Sequence, residues 1–206
     1  YIVYYNRAVN MIQGFDNAAS AINAFQRAQG LSANNVANIN TPGYKSVYPV
    51  FTTLKYGGVQ LSKIATNNGL GYVINTQRPL DLTINGSGYF KLEKNGEDIL
   101  SRNGNFYMDG DGNLVDSSGS LLAAGVGPAD SIEIDSDGNI FADGEMRGRV
   151  EIVDEDGQPA PDGQSEIRQG MLEASNVDLA RETVGSLITF QSYAANIMTM
   201  QTNDQL

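Results

Sequence analysis

Neither histidine nor cysteine occurs among the 206 residues. Those absences remove the usual general base near neutral pH, thiol nucleophiles, disulfides and nearly every zinc site. Any chemistry would have to run on carboxylates, hydroxyls or lysine. Lack of cysteine leaves the compartment open, since such a chain suits the cytosol, the periplasm or the exterior equally. Basic clusters are missing as well, and a net charge of −11 argues against nucleic acid, whose phosphates require a concentrated basic surface. The uncharged run over residues 183 to 203 has the length of a membrane span. It carries Ser186, Thr189, Gln191, Ser192, Asn196, Thr199, Gln201 and Thr202, too many polar groups for hydrocarbon, so a transmembrane helix is rejected. The amino terminus lacks the basic-then-apolar layout of a signal peptide. It opens on Tyr1 rather than methionine, so a missing or processed part of the gene product is an expectation.

What charge there is sits in the middle. Over residues 16 to 44 only Asp16 and Arg27 are charged, and over 183 to 203 nothing is. Residues 93 to 166, by contrast, hold 18 acidic side chains against 4 basic ones, a local balance of −14. A helix in water normally keeps a charged outer face. The two ends therefore read as helices made to be covered, by each other and by further copies, around a soluble acidic module. An ordinary antiparallel helix pair in a monomer is the simpler alternative, but it would leave about half of each surface wet.

The chain is long enough for one large domain or two modest ones. Its opening Tyr1-Ile2-Val3-Tyr4-Tyr5 is β-branched and aromatic and favours an extended segment. From Met11 the positions Phe15, Ala18, Ala19, Ile22, Phe25, Gln29, Ser32, Val36 and Ile39 recur at helical spacing, with small residues filling much of the rest. The helix is expected to stop at Asn40-Thr41-Pro42-Gly43, where Pro42 expels Thr41 from helical geometry and Pro42-Gly43 suits the centre of a type II turn. Residues 45 to 78 read as an extended connector broken at Gly57-Gly58 and Asn67-Asn68-Gly69.

From Pro79 the period becomes two: Leu80, Leu82 and Ile84 alternate with Asp81, Thr83 and Asn85, and Gly86-Ser87-Gly88 turns into Tyr89-Phe90-Lys91-Leu92. Asp-Gly and Asn-Gly corners then recur up to Asp156-Gly157, implying a compact antiparallel β domain over 79 to 168. The last segment, 169 to 206, is expected to be helical from a Ser175 or Asn176 cap, with Asp178 and Glu182 near the positive end of its dipole. One face runs through Val177, Ala180, Val184, Leu187, Gln191, Ala194, Met198 and Gln201; a second stripe is Ile188, Phe190, Tyr193, Ile197 and Met200. The class expected is α+β, with terminal helices forming a coiled-coil-like pair and a central antiparallel β domain.

Asp109, Asp111 and Asn113 have the first, third and fifth ligand spacing of a helix-loop-helix calcium loop, but Leu114 occupies its glycine position and Ser120 its final glutamate position. Asp135, Asp137 and Asn139 fail alike at Ile140. Plain hairpin turns account better for both. Asp154, Glu155 and Asp156 read as solvated surface rather than an acid–base pair, which needs environments that separate two pKa values. Gly86-Ser87-Gly88 joins strands and lacks the helix terminus of a phosphate loop. No catalytic residue, metal site or cofactor is expected.

Three motifs carry a family resemblance. Leu31-Ser32-Ala33-Asn34-Asn35-Val36-Ala37-Asn38-Ile39-Asn40-Thr41-Pro42-Gly43-Tyr44-Lys45 resembles the amino-terminal signature of bacterial flagellar rod and hook proteins. Arg78-Pro79-Leu80-Asp81-Leu82-Thr83-Ile84-Asn85-Gly86-Ser87-Gly88-Tyr89-Phe90, with Ser101-Arg102-Asn103-Gly104-Asn105-Phe106 and Asp111-Gly112-Asn113-Leu114-Val115 after it, resembles the middle of the rod proteins most closely. Gln169-Gly170-Met171-Leu172-Glu173-Ala174-Ser175-Asn176-Val177 is similar to the run that opens the carboxy-terminal helix there.

The resemblance implies a non-enzymatic axial subunit of the basal-body rod, with terminal helices lining a tube and the β domain outside. Its implied partners are copies of itself, neighbouring rod and hook axial proteins and the flagellar export apparatus, without a cleaved signal. Hook or hook-associated proteins of the same superfamily are the alternative, as is a secreted β-domain protein that binds the cell surface or wall. Asn35, Asn38 and Asn40 are expected to satisfy backbone groups at the helix end, and Gly43→Val to weaken polymerisation while sparing the β domain. Asn34, Thr41, Pro42, Tyr44, Gly170, Ser175, Asn176, Val177, Val184, Leu187, Ile188, Tyr193 and Ile197 complete the expected assembly set.

Overall fold

The computed structural model describes residues 2–55, 57–160 and 165–204. The chain forms two compact units, one of Tyr1–Ile39, Lys45–Gly69 and Val177–Leu206, the other of Asn40–Tyr44 and Leu70–Asn176. The class is α+β.

In the first unit, helix α1 (Ile2–Ala37) packs against the carboxy-terminal helix, and the hairpin of β1 (Val47–Thr53) and β2 (Val59–Thr66) lies on α1 as well. Ile2 to Tyr5, expected to be extended, are helical, because a long helix propagates through a short stretch of weak propensity; Tyr1 lies outside the described residues. The buried face of α1 is alanine: Ala18, Ala21, Ala24 and Ala28 are covered, while Phe15 and Val36 from the expected face are exposed. Ile22 and Phe25, also on the expected face, are half-buried. Phe25 meets Phe51 of the hairpin edge to face, with ring centroids 5.8 Å apart. The stretch read as a connector thus contains a paired hairpin. Its signal is weak because both faces of β1 and β2 are largely open, which erases the inside–outside alternation.

The second unit is all β. Its strands are β3 (Val73–Asn75), β4 (Leu82–Gly86), β5 (Tyr89–Lys94), β6 (Glu97–Ser101), β7 (Phe106–Met108), β8 (Leu114–Asp116), β9 (Leu121–Ala123), β10 (Ile132–Ile134), β11 (Asn139–Ala142), β12 (Glu145–Arg149), β13 (Ile152–Val153), β14 (Ser165–Gln169) and β15 (Met171–Glu173). Six of them form one sheet in the order β13-β5-β9-β8-β7, with β6 also on β5; β10-β11-β12 form a second, and β14-β4 and β15-β3 are two-stranded. The turn at Gly86-Ser87-Gly88 does not make a hairpin: β4 pairs with β14 and β5 with β6, β9 and β13. It hands the chain from one sheet to another. The core gathers Leu82, Ile84, Phe90, Leu92, Phe106, Leu114, Val126, Ile140, Val150 and Ile167, with Phe90 and Phe106 edge to face at 5.4 Å.

Alternation along β4 fails because both of its faces are covered: Asp81 and Thr83 are as buried as Leu82 and Ile84. Asp81 is satisfied, accepting from Asn105 Nδ2 at 2.8 Å and pairing with Arg78 at 3.4 Å. Thr83 Oγ1 has no hydrogen-bond partner among the described residues. Because an unbonded buried hydroxyl is costly, Thr83→Val is expected to raise unfolding free energy by about 1 kcal/mol in a denaturant titration. A loss of stability instead would mean that the hydroxyl has a hydrogen-bond partner after all.

Four hairpin loops repeat one design. In each, the aspartate Oδ1 accepts the backbone N–H groups two and four residues on: Asp109 from Asp111 and Asn113, Asp116 from Ser118 and Ser120, Asp135 from Asp137 and Asn139, Asp154 from Asp156 and Gln158. The third residue after each aspartate is a glycine at positive φ. Hydrogen bonds from Asn113 hold the Asp109 carboxyl below its ordinary pKa, and those from Asn139 do the same for Asp135. For Asp116 partial burial pushes upward, but donors from Ser120 and Ser118 outweigh it and the net shift is downward. A carboxyl with a lower pKa folded than unfolded contributes its stability fully above the unfolded value, about 3.9, and loses it as pH falls through the folded value. Thermal stability is therefore expected to decline below about pH 4, and Asp135→Asn to make that decline shallower. Parallel melting curves against pH for the variant and the parent would refute this.

Candidate assembly site

Helix α1 ends at Ala37, earlier than the Asn40 boundary expected, and the asparagines around that end separate into two jobs. Asn38 donates from its backbone N and its Nδ2 to the Asn34 carbonyl, at 3.2 and 2.9 Å, closing the helix end. Asn35, one turn earlier and 1% exposed, does something else. Its Nδ2 donates to the Val47 carbonyl at 2.7 Å and its Oδ1 accepts the Val47 N–H at 2.9 Å, the pattern of a strand neighbour. The same Nδ2 donates to Glu182 Oε1 at 2.8 Å, on helix α2 (Leu179–Asp204). Asn40 stands exposed in the following turn.

Thr41, Pro42, Gly43 and Tyr44 make the expected turn. The Tyr44 N–H donates to the Thr41 carbonyl at 3.2 Å, and Gly43 has φ +68°, the sign required of the third residue in a type II turn. These four residues belong to the β unit. The Gly43 N–H donates to the Glu173 carbonyl at 2.7 Å, and the Asn176 N–H to the Tyr44 carbonyl at 3.2 Å. A Cβ on Gly43 would overlap the Arg102 carbonyl. The motif that follows the helix is therefore sewn to the segment that precedes the second helix.

Beneath this seam lies a buried ion pair that the sequence reading missed. Arg102 Nη1 is 3.4 Å from Glu173 Oε2, with both side chains almost fully covered. The guanidinium also donates to the Ile84 and Gly86 carbonyls at 3.1 and 2.6 Å, and Glu173 Oε1 accepts the Gly71 N–H at 2.8 Å. Burial pulls the Arg102 pKa below its ordinary value, and the Glu173 charge opposes that pull. Arg102 was hidden because a lone cation in an acidic stretch reads as surface.

Gly170 serves a different joint. At φ +75° it donates its N–H to the Asp81 carbonyl at 2.8 Å, and its carbonyl accepts the Thr76 and Gln77 N–H groups, where β14 passes into β15. Ser175 is buried, but neither it nor Asn176 caps α2: Asp178 does, its Oδ1 accepting the Arg181 N–H at 3.1 Å. Val177 is half-buried in the helical unit. On α2, Tyr193 and Ile197 are half-buried, whereas Val184, Leu187 and Ile188 are exposed, as are Phe190 and Met198.

Fold and site together define an α+β protein with paired terminal helices, whose distinctive residues hold backbone to backbone. Three family descriptions match along it: flagella basal body rod protein over residues 15–45, flagellar hook protein FlgE/F/G D1 domain over 83–142, and flagellar basal body rod FlgEFG protein C-terminal over 168–206. The flagellar basal-body rod protein FlgG of Agrobacterium fabrum is 33% identical over 143 residues, covering 57% of this chain and 55% of its own length. The flagellar hook protein FlgE of Salmonella typhimurium is 36% identical over 114 residues, 52% of this chain and 28% of its own. FlgG of Buchnera aphidicola is 25% identical over 95% of this chain and 97% of its own. The chain thus spans about half the length of the first rod relative and under a third of the hook relative. It belongs to the flagellar rod and hook axial protein family, whose members are structural components. No described helix is long and apolar enough to cross a membrane.

Proposed function

We propose that this chain is a self-assembling axial subunit of the flagellar rod, in the basal body, where it builds a tube with copies of itself and neighbouring axial proteins, transmits torque and forms part of the export channel. The observation that carries the reading is the open apolar surface of α2: Val184, Leu187, Ile188, Phe190 and Met198 are each at least 56% exposed on a helix that carries no charge between Glu182 and Asp204. A helix so composed is stable in water only when covered, and a helical polymer supplies neighbours on every side. A rod rather than a hook position is supported by the rod relative that aligns along nearly the full chain, against a hook relative matched over 28% of its own length. The acidic charge of residues 93 to 166 keeps the subunit soluble and limits sideways sticking by like-charge repulsion.

Sedimentation and electron microscopy of the purified chain test this. Concentration-dependent assembly into rods is expected, and Phe190→Glu, which places a charge on the open face, should abolish assembly while leaving helix content intact. A parent chain that stays monomeric at high concentration, with both helices fully protected from hydrogen exchange, would overturn the proposal.

A further inference from the structure

The buried face of α1 is a row of alanines, and such a face has little relief to distinguish one turn of a partner helix from the next. A slip of one turn moves a helix about 5.4 Å and exchanges similar contacts for similar contacts. One level of the pair is different. Ser32 Oγ donates to Glu182 Oε2 at 2.6 Å and lies 2.9 Å from Ser186 Oγ, while Asn35 Nδ2 donates to Glu182 Oε1 at 2.8 Å. Glu182 is the last charged residue before the uncharged stretch of α2, and α1 has no charge after Arg27. At this level its carboxylate accepts from both Ser32 and Asn35, whereas a slip of one turn would set it between Gln29 and Ser32 or between Asn35 and Asn38 and forgo at least one of these two charge-assisted bonds. Asn35 is itself aimed by its two bonds to Val47, so the donor that reads α2 is held by the first strand of the hairpin.

We infer that Asn35 and Glu182, with Ser32, are a register lock: they decide which turn of α2 faces which turn of α1, and they make that choice conditional on the hairpin being docked. A polar contact at one position of an otherwise apolar helix pair is a recognised way of fixing alignment. The inference concerns pairing within one chain and holds whether or not that chain polymerises.

The absence of native cysteine makes the test clean. Two reporters are compared by oxidation at low concentration, reading the intramolecular band: Ser32→Cys with Ser186→Cys for the observed register, and Ser32→Cys with Thr189→Cys, the next half-buried position on that face of α2, for a one-turn slip. Both leave the Asn35–Glu182 pair in place as the part of the lock under test. In the parent background the first pair should crosslink and the second should lag by about tenfold, the factor one hydrogen bond to a charged group is worth. Adding Glu182→Leu should bring the two yields together at unchanged helix content. Adding Glu182→Gln, which keeps an acceptor for Asn35, should restore most of the difference. Replacing Val47 by proline, which removes the N–H that Asn35 Oδ1 accepts, should also weaken the preference. The lock is refuted if Glu182→Leu preserves the parental preference, or if the slipped pair crosslinks as well as the aligned pair in the parent. Should Glu182→Leu fail to fold, Glu182→Gln and Val47→Pro decide between the same outcomes.

Discussion

Gly43→Val is expected to unfold the β unit rather than leave it intact. Valine at φ +68° is strained, being β-branched in the left-handed region, and its Cβ meets the Arg102 carbonyl, which is backbone and has no rotamer to escape into. Strain and overpacking together should cost about 4 kcal/mol. This replaces the expectation that the substitution spares the β domain, because Gly43 lies in that unit and donates to the Glu173 carbonyl. Native-state hydrogen exchange at the amides of β5 and β7 would show the loss directly. Gly43→Ala should lose less, and a Gly43→Val protein with parental protection there would contradict the geometry.

Arg102→Met should be nearly as damaging, for an electrostatic reason. Removing one partner of a buried pair leaves the other charge uncompensated, at a cost of about 3 to 5 kcal/mol. Here it also leaves the Ile84 and Gly86 carbonyls without their donor. Adding Glu173→Gln to Arg102→Met should recover a large part of the loss, since the buried charge disappears while Oε1 remains to accept the Gly71 N–H. Glu173→Leu should recover less, because that N–H is then orphaned. A double-mutant cycle in denaturant reads the coupling, and additive effects would show that the pair is not energetically linked.

Several features were legible from neighbouring residues alone. The turn at Thr41 to Tyr44 follows from Pro42 and Gly43, and the two-residue hairpin at Asn95-Gly96 from the positive φ that both residues accept. The four aspartate loops were visible as separate corners, and the recurring aspartate three residues before each glycine was the unread signal that they share one geometry. The α2 cap was misplaced because Ser175, Asn176 and Asp178 all qualify by type, and only the path of the backbone selects Asp178. The helix faces were harder still. Phe15 and Val36 fit the periodicity as well as the alanines do, yet it is Ala18, Ala21, Ala24 and Ala28 that the packing of α2 and the hairpin on α1 covers.

By itself the sequence determined the turn at Thr41 to Tyr44, the two long helical ends, the pleated character of residues 79 to 168 and the scarcity of charge at both ends, because each of these depends on side chains within a few residues of one another. The pairing of β4 with β14, the joining of Arg102 to Glu173 across 71 residues and of Asn35 to Glu182 across 147 were decided only by the tertiary structure. Their reason is that a polar group can be buried wherever a partner arrives, and the arrival of a distant partner is set by how whole elements pack, not by the local chain on either side.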